Sequence, residues 1–171
     1  MFNFLQKKKI GAISQRNTRE KAFLNYDSIK QVLLLFNIDE WNEVAPVVKR
    51  LLQQKKKVIV WTVRPKRNHA VLSSENIRVI DAAKELTWTH ALRDEVEKEF
   101  RGLHYDTLID LTTLEDNTLN YLLAANSSRF CIGIRESKMK LYDFIMLKKE
   151  DSSIIDTFEQ MQHYLSSNMI K

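Results

Sequence analysis

Glycine is scarce in this chain: 3 in 171 residues, at Gly11, Gly102 and Gly133, where average usage would give about 12. Phosphate-cradling loops of the dinucleotide or P-loop kind need two or three glycines close together, so both are excluded by count. Cysteine is scarcer still. Cys131 stands alone, which excludes an internal disulfide and any cysteine cluster for zinc or iron–sulfur chemistry. Long apolar runs are missing too, since Val32 to Phe36 falls far below the ~20 residues that span a bilayer. The opening MFNFLQKKKIGAISQR carries its positive charge after its apolar residues and has no signal-peptide core. What remains is long enough for one domain that needs no disulfide or metal staple. A cytoplasmic protein without a transmembrane segment is expected.

Charge is unevenly spread. Residues 1–80 hold 16 Lys and Arg against 6 Asp and Glu, and residues 81–171 hold 11 against 16. A basic half is compatible with an anionic partner such as RNA, an acidic membrane or a phosphorylated ligand. It is equally the solvated punctuation of element ends, because Lys7–Lys9 and Lys55–Lys57 lack the interleaved aromatics of single-strand binders.

Residues 1–28 are polar, basic and without sustained periodicity, and read as an N-terminal arm whose Phe2, Phe4 and Leu5 cover one edge of a domain at 29–171. From Gln31 to Phe36 runs an apolar stretch typical of a strand buried on both faces. Asp39 offers a cap for a following helix whose stripe is Trp41, Val44, Val47, Val48, Leu51 and Leu52, with Pro46 inside it, so that the helix starts late or bends. Further strands are expected at Val58–Val63, Ile77–Ile80, Thr107–Leu111, Phe130–Ile134 and Tyr142–Leu147. Helices are expected after Thr89, after Thr113-x-x-Asp116, and after Asp151, the last with Ile154, Phe158, Met161, Leu165 and Met169 on one face. Alternating strands and helices predict an α/β fold: an open, mainly parallel Rossmann-like sheet of about six strands with helices on both faces.

In such sheets ligands bind beyond the carboxyl ends of the strands, at the switch in strand order. Those ends supply Asn37, Asp39 and Glu40, then Arg64, Lys66, Arg67 and His69, then Asp81, then Thr112, Thr113, Glu115, Asp116 and Asn117, and finally Arg135, Glu136 and Ser137. Asp39 and Asp116 read as helix caps ahead of acid–base groups. The loop Arg64-Pro-Lys-Arg-Asn-His69 is either a phosphate or carboxylate clamp or a solvated loop. His90, His104 and His163 lack the i, i+4 pairing of a helical metal site, and Cys131 reads as an inert buried thiol. Gly-x-Ser-x-Gly does not occur, which excludes a serine nucleophile elbow. Neither a metal nor a cofactor is expected.

Asp39-Glu40 before Pro46-Val-Val-Lys-Arg-Leu51, Tyr105-Asp-Thr-Leu-Ile-Asp-Leu111, and Arg129-Phe-Cys-Ile-Gly133 together resemble the N-terminal Rossmann-like domain of heptosyltransferase-type glycosyltransferases. The likeness covers roughly residues 30–135. It implies that Glu40 falls at the position of the family's acceptor-activating Asp, with Asp39 in place of the preceding Gly. The family's C-terminal, donor-binding domain has no counterpart in the about 35 residues that follow. The chain is also similar to an uncharacterised family of short bacterial proteins of about this length.

The reading that follows is a non-catalytic binding or interaction module, with an anionic small molecule or a protein as partner. One alternative is a glycosyltransferase-like enzyme completed by a partner chain, with Glu40 as base. Another is an accessory protein that binds RNA or an acidic membrane surface through the basic half. The candidate ligand residues are Asp39, Glu40, Arg64, Lys66, Arg67, Asp116, Asn117 and Arg135.

Overall fold

The computed structural model describes residues 2–72, 74 and 76–167. Its sheet contains β1 (Gln31–Asn37), β2 (Lys57–Arg64), β3 (Ile77–Asp81), β4 (Thr107–Asp110), β5 (Phe130–Gly133) and β6 (Phe144–Ile145). Every pairing is parallel, and the spatial order is β3-β2-β1-β4-β5-β6, that of a doubly wound Rossmann-like sheet. Around it lie α1 (Phe2–Arg16), α2 (Trp41–Gln53), α3 (Ala82–Glu85), α4 (Asp94–Arg101), α5 (Asn117–Ala124) and α6 (Ile154–Ser166). The expected α/β fold is the observed one.

The apolar run of β1 explains the three layers. Val32 through Phe36 are all fully buried, and alternate side chains point to opposite faces of a strand. Leu33 and Leu35 join Trp61, Leu108, Ile10 of α1, Val96 and Phe100 of α4, and Leu122 of α5. Val32, Leu34 and Phe36 join Val44 and Leu51 of α2 and Phe158 and Met161 of α6. Each such side chain contributes roughly 1.5–3 kcal/mol relative to exposure.

Several local expectations are corrected. The segment read as an arm carries α1, which packs against α5 through Ile10 while Phe4 and Leu5 stay exposed. Its continuation is tied down: Asn17 donates to the carbonyls of Ala124 and Asn126, and Arg19 makes two 2.7 Å bonds to Asp143. The side chain of Phe2, and Met169, lie outside the described residues. Asp39 does not cap α2. A 3-10 turn, Ile38–Glu40, intervenes, and α2 runs through the exposed Pro46 without a side-chain cap. The helix after Thr89 begins only at Asp94, because Leu86 and Leu92 bridge across a loop in which His90 takes φ 63°. The last helix is capped by Ser153 with Asp156 in a capping box, not by Asp151, and the sixth strand shortens to two residues.

Candidate functional site

The connections of β1 and β4 leave the sheet on opposite faces, through α2 and α5, so the strand-order switch opens between their carboxyl ends. The protein's own side chains bond across this crevice. Asn37 ends β1, and its Oδ1 accepts from the backbone N–H of Thr113 at 2.9 Å and of Leu114 at 3.1 Å, while its Nδ2 donates to the Leu114 carbonyl at 3.1 Å. Beside it the Thr113 hydroxyl donates to the Glu40 carboxylate. Each loop thus satisfies polar groups of the other.

The remaining candidates fall into separate groups. Both carboxylate oxygens of the exposed Asp39 accept from Asn68 Nδ2 at 3.1 Å. Arg64 donates to Asp81 at 2.8 Å, and that bond holds the Asp81 carboxyl below its usual range; Asp81 also caps α3 through the Ala83 N–H. Arg67 is exposed. Arg135, only 11% exposed, donates to Thr112 Oγ1 at 2.9 Å and to Asn120 Oδ1 at 3.1 Å, and lies 3.7 Å from Asp110 and 3.6 Å from Glu115.

Lys66, Asp116 and Asn117 do come together. They line a cavity of about 240 Å³ between the end of β2, α3 and the start of α5. A second cavity of about 190 Å³ lies between α1, residues 89–92 and α5, lined by Leu5, Ile10, Leu92 and Tyr121 among others. Gln6, His90, Asn117 and Thr118 border both, and Asn117 Nδ2 donates to Gln6 Oε1 at 2.8 Å in this shared wall. Asp116 caps α5 by accepting from the Leu119 N–H at 2.9 Å, and burial raises its carboxyl above the usual range. Tyr121, raised to about 12 chiefly by burial, donates to Glu97 at 2.6 Å. Among the described residues no three His, Cys, Asp or Glu side chains are placed to share a metal ion.

The profile of a family of unknown function (DUF6913) matches residues 3–167. The chain belongs to that family. No curated protein and no solved structure matches it. In this DUF6913 chain a polar cluster that sequence reasoning missed is centred on Asp110. It is fully buried at the end of β4, and accepts from the Thr112 N–H at 3.0 Å, the Thr112 hydroxyl at 2.9 Å and the Tyr142 hydroxyl. Burial pushes its carboxyl up, against the lowering effect of Arg135. A carboxylate inside an otherwise apolar strand was the available signal, because such a group is tolerated only with partners. Tyr142 reaches Asp110 by packing on Gly133, where a Cβ would meet ring carbons at 2.6 Å. This close approach is the structural use of the one glycine in the strands. Cys131 is fully buried and burial pushes its thiol up, the state of an unreactive thiol.

Proposed function

We propose that this DUF6913 chain is a non-catalytic binding module on a Rossmann-like fold, and that its ligand site has moved from the switch-point crevice to the cleft beside α5. The observation that carries this reading is the Asn37 clasp, which fills the crevice with three internal hydrogen bonds to the β4 loop. A ligand there would have to replace those bonds, each with a net worth of about 0.5–1.5 kcal/mol. Glu40 supports the same reading, since its carboxylate is engaged by the Thr113 hydroxyl. The cations expected to hold a phosphate are dispersed: Arg64 pairs with Asp81, Arg67 faces solvent and Lys66 lines the cavity between the end of β2, α3 and α5. By contrast the cleft beside α5 offers an apolar chamber and, across the wall of Gln6 and Asn117, a neighbouring polar cavity, linings of the kind that small-molecule sites use.

The test is an assay of the purified chain with a nucleotide sugar such as UDP-glucose, following release of the nucleoside diphosphate. No release above buffer is expected, with or without Glu40→Gln. Release that is abolished by Glu40→Gln would overturn the reading and favour an enzyme of the glycosyltransferase type.

A further inference from the structure

Trp88, Phe4 and Leu114 are 82%, 71% and 68% exposed, and the structure gathers all three at the carboxyl edge of the sheet. α1 runs beside α5 in the same direction: Gln6 accepts from Asn117 at 2.8 Å, the Lys9 ammonium lies 5.9 Å from the centre of the Tyr121 ring, and Asn17 donates to the Ala124 carbonyl. Its first turns, with Phe4 and the exposed Leu5, therefore stand at the start of α5, next to the loop after β4 that carries Leu114. His90, two residues after Trp88, shares a cavity wall with Gln6, Lys66 and Asp116, which puts the loop of residues 86–92 at the same edge. A single exposed apolar side chain is ordinary, but a group of them marks a contact surface.

Two of these side chains stand on pinned backbone. Trp88 sits in a turn in which the His90 N–H donates to the Thr87 carbonyl at 2.9 Å and the Thr87 N–H to the Ala91 carbonyl at 2.7 Å, with Leu86 and Leu92 bridged behind it. The N–H and the carbonyl of Leu114 are both held by Asn37. Loops fixed in this way lose little conformational freedom on binding.

Cations stand among them. Segments 4–9 and 64–69 hold Lys7, Lys8, Lys9, Arg64, Lys66 and Arg67 and no Asp or Glu. Lys7, Lys8, Lys66 and Arg67 are exposed and enter no ion pair among the described residues. At the same edge Asp39 is engaged by Asn68, Glu40 by Thr113, Asp81 by Arg64 and Glu115 by Arg135, while Glu43 and Glu136 are exposed. The second lysine run, Lys55–Lys57, lies at the opposite end of β2, where Lys56 is buried against the carbonyls of Tyr26 and Ile29.

We propose that this edge docks on an anionic membrane surface, with Trp88, Phe4, Leu5 and Leu114 entering the headgroup layer and Lys7, Lys8, Lys66 and Arg67 pairing with lipid phosphates. A tryptophan and apolar tips interleaved with Lys and Arg match the bilayer interface. A protein interface keeps charge out of its core, and a single-strand nucleic-acid site stacks bases on aromatic faces, which Leu5 and Leu114 do not offer. The inference goes beyond the closed-crevice reading and does not rest on it, because an enzyme with this fold would present the same edge.

The experiment is co-sedimentation of the purified chain with vesicles of equimolar phosphatidylglycerol and phosphatidylcholine, with vesicles of phosphatidylcholine alone, and binding to polyuridylate, each at low and high salt. Expected is binding to the anionic vesicles that weakens as salt rises, with little to phosphatidylcholine alone. Trp88→Asp, Leu114→Asp and the pair Lys66→Glu with Arg67→Glu are each expected to weaken it by about tenfold. Leu147→Asp, at an exposed apolar position after β6, is expected to bind as wild type does. All the substituted side chains are exposed, so the variants report on the surface rather than on folding. The proposal is overturned if the chain does not bind the anionic vesicles, if Trp88→Asp and Leu114→Asp bind them as wild type does, if Leu147→Asp loses as much, or if polyuridylate is bound in preference to the vesicles.

Discussion

Asn37 and Leu114 exchange two hydrogen bonds, side-chain amide to backbone carbonyl and backbone amide to side-chain oxygen, each of 3.1 Å, across the mouth of the switch-point crevice. The pair joins the end of β1 to the loop after β4. It does so with one short side chain, where a ligand-binding copy of the fold would keep the space for backbone approach to a phosphate. Replacing Asn37 by Ala removes both bonds and the third to Thr113. The expected cost is about 0.5–1.5 kcal/mol in urea unfolding, because water can take up the exposed groups, with hydrogen exchange at the Thr113 and Leu114 amides accelerated more than at β2 amides.

The Tyr142–Gly133 contact makes a second prediction. A Cβ at position 133 cannot coexist with the ring 2.6 Å away, so Gly133→Ala displaces Tyr142 and withdraws a donor from the fully buried Asp110. Tyr142→Phe withdraws the same donor without the clash. Each is expected to destabilise by about 1–3 kcal/mol. The double variant should cost less than the sum, because the hydrogen bond is lost only once. Full additivity in a double-mutant cycle would show that the two residues act separately.

The Asp81 salt bridge predicts a pH dependence. Its pairing with Arg64 lowers the folded-state value below the ordinary 3.8, so the unfolded chain takes up the proton first as pH falls. The stabilisation is therefore complete well above pH 4 and disappears as the pH drops through the folded value. Wild type and Asp81→Asn should differ in stability at pH 6 and converge as the pH falls below the lowered folded-state value. Asp110 works in the opposite sense, since burial raises its folded value. Its ionisation costs stability as pH rises above the unfolded value, and Asp110→Asn, which keeps an acceptor for Tyr142, should flatten that part of the profile.

The cleft beside α5 has a simple probe. Indole is small enough for the apolar chamber of about 190 Å³ and needs few polar partners. Titration should give saturable shifts at the amides of Leu92, Thr118 and Tyr121, at about millimolar affinity. Leu92→Trp, which fills the chamber, should abolish them while leaving the shifts of a control residue in β5 unchanged.

The sheet was legible because its signal is repeated: five consecutive apolar residues in β1 and similar runs in β2, β4 and β5 can be buried only between two layers of helices. The N-terminal helix was not legible, since its apolar residues show almost no single-face periodicity and, among its described side chains, only Ile10 is buried well. The candidate rim was legible as a list of strand ends but not as a geometry. Strand patterns place Glu40 and Asp116 at the same edge, yet whether a side chain points into a crevice or across it depends on the partner loop. Asn37 illustrates this, being an ordinary polar strand end in sequence and a clasp in the structure.

The central claim is that the switch-point crevice is closed by the protein itself, and the most direct measurement is a heteronuclear NMR titration with millimolar NAD or UDP-glucose. The account predicts no saturable shift at the backbone amides of Thr113 and Leu114 or the side-chain amide of Asn37 in the wild type. Saturable shifts at those three groups, with the nucleotide displacing the clasp, would contradict it.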